Sequence, residues 1–350
     1  MCAQWAFIEH VTDSLAKPRG GDAKAPTLWP SEASAIVQKN GKDQVVGKCR
    51  RATFFRYLLE NFKFYDKYSI WSPLVEDIKA NTKPVDRYLI WIWRQGELYE
   101  EFLTEQAKIS GIYISSQGAV FIPEYNVSGK KDIEVVNPET KKLSIVESKS
   151  VYSFGGNAVL GSPGKRREGA LGTPKDNNLM QIALYHWWHA SEDDAYEESR
   201  LVYGDRGSGR YGEYLVKTET NEEGVINVLW KPHAPQSGPW VTSGITINSI
   251  LNEYKNQQLW LDGGIIPPRD FEILFSEEQL AELHANDEMT KTDKEQYEKV
   301  IARREENKEL EASGQKQKKE LKQIEKSSFA CSYCQFSKVC YNEKNEPRIL

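Results

Sequence analysis

The sequence contains no apolar run approaching the roughly 20 residues that a bilayer-spanning helix needs. Its opening residues, MCAQWAFIEHVTD, carry acidic side chains where a secretion signal carries a basic flank. A soluble, cytoplasmic protein with no membrane partner is expected. An excess of basic charge is also missing. The formal net charge is -5, which excludes a surface coated for indiscriminate nucleic-acid binding and confines any DNA contact to local patches. Two such patches are Lys48, Arg50 and Arg51, and Lys165, Arg166 and Arg167. Cysteine is scarce and unevenly placed: there are five, with Cys2 and Cys49 early and Cys331, Cys334 and Cys340 near the end. An odd, lopsided set is not a disulfide framework, and it fits a reducing compartment in which thiolates hold metals. No internal repeat occurs. The glycine-rich Gly204 to Gly209 stretch lacks the Lys-Ser/Thr ending of a phosphate loop and reads as a turn, and no helicase or NTPase motif is present.

What is present is enough apolar material for a real core: 39% of the 350 residues are hydrophobic and 11% aromatic. Residues 1–45 show no sustained period and read as an irregular N-terminal arm or small subdomain. Residues 46–275 read as a core with a helical insertion, 276–326 as a charged helical segment, and 327–350 as a cysteine-bearing segment that packs with Cys49. Apolar spacing predicts helices over Gly47 to Phe62 and from after Pro84 to about Lys108. Strands are predicted over 119–127, Asp132 to Val136 and Leu143 to Ser148, with Asn137 to Thr140 as a turn. The Gly- and Lys-rich stretch between Tyr152 and Asp176 reads as a long loop, functional or disordered. A helix over Asn177 to Ala190 and strands near 199–204, 212–218, 226–231 and Asp270 to Phe275 complete an α/β pattern. Ser276 and Gln279 form a capping-box signature for a helix through His284. Residues 290–326 suit only a solvated helix or tether. His186 and His189, beside Trp187 and Trp188, read as packing residues.

The chemistry gathers on two of these strands. Alternation puts Glu147 and Lys149 on one side of a strand with Ser148 pointing away, and a hairpin-type pairing brings Asp132 beside them. Val135-Val136 and Ile145-Val146 are apolar runs of buried strands, so these charges stand where a buried sheet reaches a cleft. Two carboxylates and a lysine so placed suit phosphodiester hydrolysis: the acids hold Mg2+ or Mn2+, and the lysine orients or activates a water.

Four motifs in order resemble the RecB-like branch of the PD-(D/E)XK nucleases. They are Gly96-Glu-Leu-Tyr-Glu100, Gly129-Lys-Lys-Asp132, Glu147-Ser-Lys149 and Gln181-Ile-Ala-Leu-Tyr185. The resemblance implies a restriction-endonuclease-like core, a mixed central sheet flanked by helices. It implies Asp132, Glu147, Ser148 and Glu100 at the metal, Lys149 as the catalytic lysine, and Gln181 and Tyr185 in support on one helix face. Glu100 departs from the histidine frequent at its position, and Glu97 and Glu101 are neighbouring alternatives.

Three clustered cysteines need a fourth partner, and Cys49 is the candidate because Cys2 lies at a terminus prone to fray. Zinc sites usually draw on two close pairs, so a triplet plus one distant cysteine is less typical of zinc. The pattern is similar to that of iron-sulfur RecB-like nucleases, such as the AddB nuclease domain and CRISPR-associated single-domain exonucleases. This resemblance implies a [4Fe-4S] cluster on Cys49, Cys331, Cys334 and Cys340 that joins the N- and C-terminal regions. The expected function is that of a DNA exonuclease acting on ends or single strands in recombination, repair or viral DNA processing. It would work alone or with a helicase or recombination partner. The alternative is a DNA-binding or assembly subunit that keeps the fold and the cluster but does not cut. Arg50, Arg51, Lys165, Arg166 and Arg167 are the expected DNA contacts.

Overall fold

The computed structural model describes residues 12, 26–39, 41–84, 86–161, 172–192, 195–233, 238–271, 275–321 and 329–341. A hairpin of β1 (Ser34–Lys39) and β2 (Lys42–Gly47) precedes one large sheet. That sheet contains β3 (Tyr113–Ile122), β4 (Val127–Val136), β5 (Leu143–Val151), β6 (Ser199–Asp205), β7 (Tyr211–Thr220), β8 (Ile226–Pro232) and β9 (Val241–Thr246), side by side in that order. Every neighbouring pair is antiparallel except β5 and β6, which run parallel with Val146 opposite Arg200 and Lys149 opposite Tyr203. The architecture is therefore mixed α/β, with a mostly antiparallel sheet.

Ten helices are found among the described residues. They are α1 (Arg50–Phe62), α2 (Ser72–Asn81), α3 (Arg87–Ile109), α4 (Ser153–Leu160), α5 (Asp176–Glu192), α6 (Ile247–Asp262), α7 (Glu277–Ala285), α8 (Lys291–Ala312), α9 (Phe329–Ser332) and α10 (Ser337–Cys340). No helix among them is long and apolar enough to cross a membrane.

Helices cover both faces of the sheet near β4 and β5. On one face α5 is buried without a break from Leu179 to His186, as a helix enclosed on all sides must be. On the other, Leu103 and Ala107 of α3 pack on Ile133, Val135 and Val146. Asp86 starts α3 by accepting a hydrogen bond from the Tyr88 amide. Beside α6, Phe54 of α1 packs edge to face against Trp71, whose indole N–H donates to the Leu261 carbonyl at 3.0 Å.

Several sequence expectations are corrected. Residues 34–47 are not an irregular arm: the hairpin docks on α6, where the Ser249 hydroxyl bridges the backbone N–H and C=O of Ile36. β3 begins and ends earlier than expected, because Pro123 to Tyr125 form a tight turn and Asn126 adopts φ 49°. The stretch after Tyr152 opens as α4 and not as a loop; residues 162–171 lie outside the described residues. β9 and α6 went unpredicted, although Thr246 caps α6 through the Ser249 amide. Asp270 and Phe271 form no strand, and residues 272–274 lie outside the described set. The capping box at Ser276 and Gln279 is fully formed. The solvated segment is helical through Ala312, and its Tyr297 packs with Leu280 and Met289.

Phe54 is fully buried between Phe55 and Trp71. Phe54→Ala removes both edge-to-face contacts and leaves a cavity. The expected loss is about 3–5 kcal/mol of folding free energy, measured by urea unfolding.

Candidate functional site

The acidic site forms where β4 and β5 separate. The ladder pairs Ile133 with Val146, and one step beyond it the Asp132 side chain turns across to β5. Its Oδ2 accepts from the Ser148 amide at 2.8 Å and from the Ser148 hydroxyl at 3.0 Å. Ser148 therefore does not simply point away: its amide and hydroxyl both anchor Asp132.

Glu147 is completely buried. Its Oε1 accepts from the Lys149 ammonium, whereas its Oε2 has no hydrogen-bond partner. A buried carboxylate oxygen left without a donor costs about 1–3 kcal/mol or more, so it marks a place built for another occupant. Among the four glutamates of α3, Glu100 is the one whose charge acts on Asp132, Glu147 and Lys149. Gln117 holds it by a side-chain hydrogen bond, while Glu97 and Glu101 both accept from Arg94.

The electrostatics follow from this crowding. Burial pushes the Glu147 carboxyl up to about 8, with Lys149 opposing the rise and Asp132 and Glu100 adding to it. Burial raises the Asp132 carboxyl against Lys149 and the Ser148 hydrogen bonds. Burial and the charge of Asp132 raise Glu100. Burial works against the Lys149 ammonium, but Glu147, Asp132 and Glu100 outweigh it and hold that group above its ordinary value. Among the described residues no three His, Cys, Asp or Glu side chains are already drawn together as ligands. The unpartnered Glu147 oxygen and three carboxyls raised together nonetheless fit a hard divalent cation, which takes oxygen donors and offsets their mutual repulsion.

The Gln-x-x-x-Tyr helix stands directly over this site. Tyr185 donates to the Lys130 carbonyl at 3.0 Å, and burial, with added repulsion from Glu147, keeps its phenol protonated. Gly129 permits that contact, because a Cβ there would sit 2.6 Å from the Tyr185 hydroxyl. Gln181 is buried and hydrogen-bonds Tyr185. His186 meets Ser199 at 3.1 Å, and burial pushes its ring down to about 4, so it packs as a neutral imidazole.

A second site joins the start of α1 to the end of the described chain. Cys49, Cys331, Cys334 and Cys340 line one pocket with Phe55 and Phe336, whose rings meet edge to face at 5.7 Å. Burial, reinforced by Asp270, pushes the Cys49 thiol up to about 12. Arg51 is fully buried beside the sulfurs. It donates to the Pro267 carbonyl at 2.7 Å and, through Nη1, to the Cys340 carbonyl at 3.1 Å and the Cys340 sulfur at 3.7 Å. Its Nη2 has no partner. A buried guanidinium whose hydrogen bonds go to carbonyls and sulfur calls for an anion nearby. A metal centre ligated only by thiolates is negatively charged, so the donor set and its surroundings fit one.

No protein-family model, curated protein or solved structure matches this chain.

Two expected DNA contacts are corrected by this geometry. Arg51 is enclosed as described. Arg50 is locked onto the Asp270 carboxylate through both its amide and its guanidinium, and onto Glu253. Neither side chain is available to a phosphate. Lys165, Arg166 and Arg167 lie outside the described residues. The sequence reading missed Arg269, which donates twice to the Cys340 carbonyl, and Asp270, which holds Arg50 next to Cys49.

A carboxyl with a higher pKa folded than unfolded takes up a proton on folding. Its contribution therefore favours the fold at low pH and is lost as pH rises from about 4.5 through about 8. In EDTA, Glu147→Gln should raise the melting temperature over wild type more at pH 8.5 than at pH 5. Scanning fluorimetry at the two pH values reads the difference, and equal gains would refute the assignment.

Proposed function

We propose that this chain is a divalent-metal-dependent DNA nuclease of the PD-(D/E)XK type. The observation that carries the reading is the buried Glu147 carboxylate, one oxygen on Lys149 and the other unpartnered, with Asp132 and Glu100 facing it. Asp132, Glu147 and Glu100 would hold Mg2+ or Mn2+. When bound, that ion polarises the scissile phosphate and acidifies a water.

The chain's own residues do the rest. Ser148 fixes Asp132 by two hydrogen bonds, so this acid presents its remaining oxygen in one orientation. Lys149 stays protonated among three carboxyls, which suits it to orient the attacking water and to offset charge that builds on the phosphate. It is not suited to accept a proton. Tyr185 and Gln181 brace β4 from the helix above, and the burial of this face keeps bulk water from the carboxylates. Lys165, Arg166 and Arg167 remain the proposed phosphate contacts of the preceding segment.

The four-cysteine pocket is read as the seat of a [4Fe-4S] cluster, with Arg51 as its buried counter-charge. Its role in this reading is that of a staple: residues 49 and 331–340 are fixed together, which closes a loop of nearly the whole chain.

Lys149→Ala and Asp132→Ala should each lower Mn2+-supported cleavage of linear and single-stranded DNA by at least about 100-fold, with folding preserved by circular dichroism. Wild-type protein that degrades no DNA would leave only the reading as a non-cutting DNA-binding subunit. For the second site, anaerobically purified protein should be brown and contain iron and acid-labile sulfide. Cys340→Ser should remove the colour and lower the melting temperature. A colourless preparation that carries zinc refutes the cluster and leaves the nuclease reading intact.

A further inference from the structure

A groove of about 380 Å3 lies between α3 and the ends of β5 and β6, next to the carboxylates and not among them. One side of α3 forms its wall, with Gln95, Tyr99 and Phe102 at helical spacing. Across from them stand Ser150, Arg206 and Tyr211. Gly204 makes the floor possible: a Cβ there would sit 2.3 Å from the Tyr99 ring, so the ring lies against bare backbone.

Two large rings on this groove are left in solvent, Phe102 with 58% and Tyr211 with 80% of its surface exposed. Paired exposed aromatics on a groove suit a flat ligand with apolar faces. A usable cation is present as well. Arg206 is exposed, reaches the Ser150 hydroxyl at 3.5 Å and lies 5.5 Å from the Tyr152 ring centre. The neighbouring Asp205 does not neutralise it, because that carboxylate is committed to Arg210, Ser208 and the Gly207 amide.

The groove and the acidic site take neighbouring residues from the same two elements. Tyr99 adjoins Glu100 on α3, and Ser150 adjoins Lys149 on β5. Successive strand residues face opposite sides, so a chain crossing the end of β5 would meet the carboxylates on one side and the groove on the other.

We propose that this groove is a nucleoside subsite. It takes one unstacked base of a single-stranded DNA end beside the scissile phosphate, stacked on Phe102 and Tyr211, with Arg206 on the flanking phosphate. The inference rests on the nuclease reading above. A base paired within a duplex has both faces covered by its neighbours and cannot enter, so the subsite selects unpaired ends.

The test uses the full chain with Ca2+ in place of Mn2+ to hold off cleavage, and single-stranded DNA or a hairpin duplex carrying a terminal 2-aminopurine. Wild type and Tyr211→Phe should quench the single-stranded probe. The double variant Phe102→Ala, Tyr211→Ala, which alters two exposed rings, should not quench it. Its affinity for the single strand should fall on the order of 10-fold for each ring lost, with hairpin binding unchanged. Quenching and affinity equal to wild type in the double variant, or no quenching by wild type, overturn the subsite. Mn2+ cleavage measured in parallel separates the two readings. Cleavage without the quenching difference sinks the subsite alone, and the quenching difference without cleavage sinks the nuclease reading alone.

Discussion

The parallel pairing of β5 with β6 is the constraint on which the rest of the arrangement depends. Every other neighbouring pair in the sheet is antiparallel and can be joined by a short turn. A parallel pair needs a crossover of a dozen or more residues, and here the chain from Ser153 to Glu192 supplies it. The crossover brings α5 over β4 and β5, so Gln181 and Tyr185 stand above Asp132 and Glu147. The same register sets Ser150 beside Gly204, which gives the groove under α3 its floor. One strand pairing thus determines what covers each face of β5.

Burial creates opposite problems at the two polar sites. At the end of β5 it gathers negative charge, and Lys149 alone offsets part of it while one Glu147 oxygen stays unpartnered. Near Cys49 it encloses a positive charge, Arg51, with one guanidinium nitrogen unpartnered. Desolvation penalises each charge unless a counter-ion is close. A divalent cation would answer the first problem and a thiolate-ligated metal centre the second, so the two proposed groups would relieve strains of opposite sign. Each site also has a protein-only anchor that holds its geometry: Ser148 on Asp132, and Arg269 with Arg51 on the Cys340 carbonyl.

The acidic site was legible because its signal is local. Glu147 and Lys149 sit two apart in an apolar strand, and a short turn after Val136 returns the chain beside Asp132. The choice of Glu100 over Glu97 and Glu101 was not legible, since three carboxylates within five residues differ only in rotation about α3. In the structure Arg94 takes the other two, and Glu100 is the one whose charge acts on Glu147. The β1–β2 hairpin had a signal that was passed over, the Asn40-Gly41 dipeptide between the apolar residues of the two strands. Arg50 and Arg51 looked like a basic patch because sequence shows charge and not its partners; Asp270 and Pro267 lie more than two hundred positions away. The groove escaped for a similar reason, since Phe102, Arg206 and Tyr211 meet only through the sheet.

These placements bear on how a chain of net charge -5 would hold a polyanion. Affinity from phosphate contacts scales with the number of free cations, because each releases a condensed counter-ion. Arg50 is neutralised by Asp270 and Glu253, Arg210 by Asp205, and Arg56 by Glu32 and Glu60. The carboxylates at the end of β5 themselves repel phosphate until a cation covers them. Two exposed rings on a groove beside that site supply a different attraction, one that acts on the face of a base and is little screened by salt. A strand without a complement offers such faces, and a duplex offers them only at its ends. The acidity of the chain and the exposure of Phe102 and Tyr211 are therefore both consistent with the proposed single-stranded substrate.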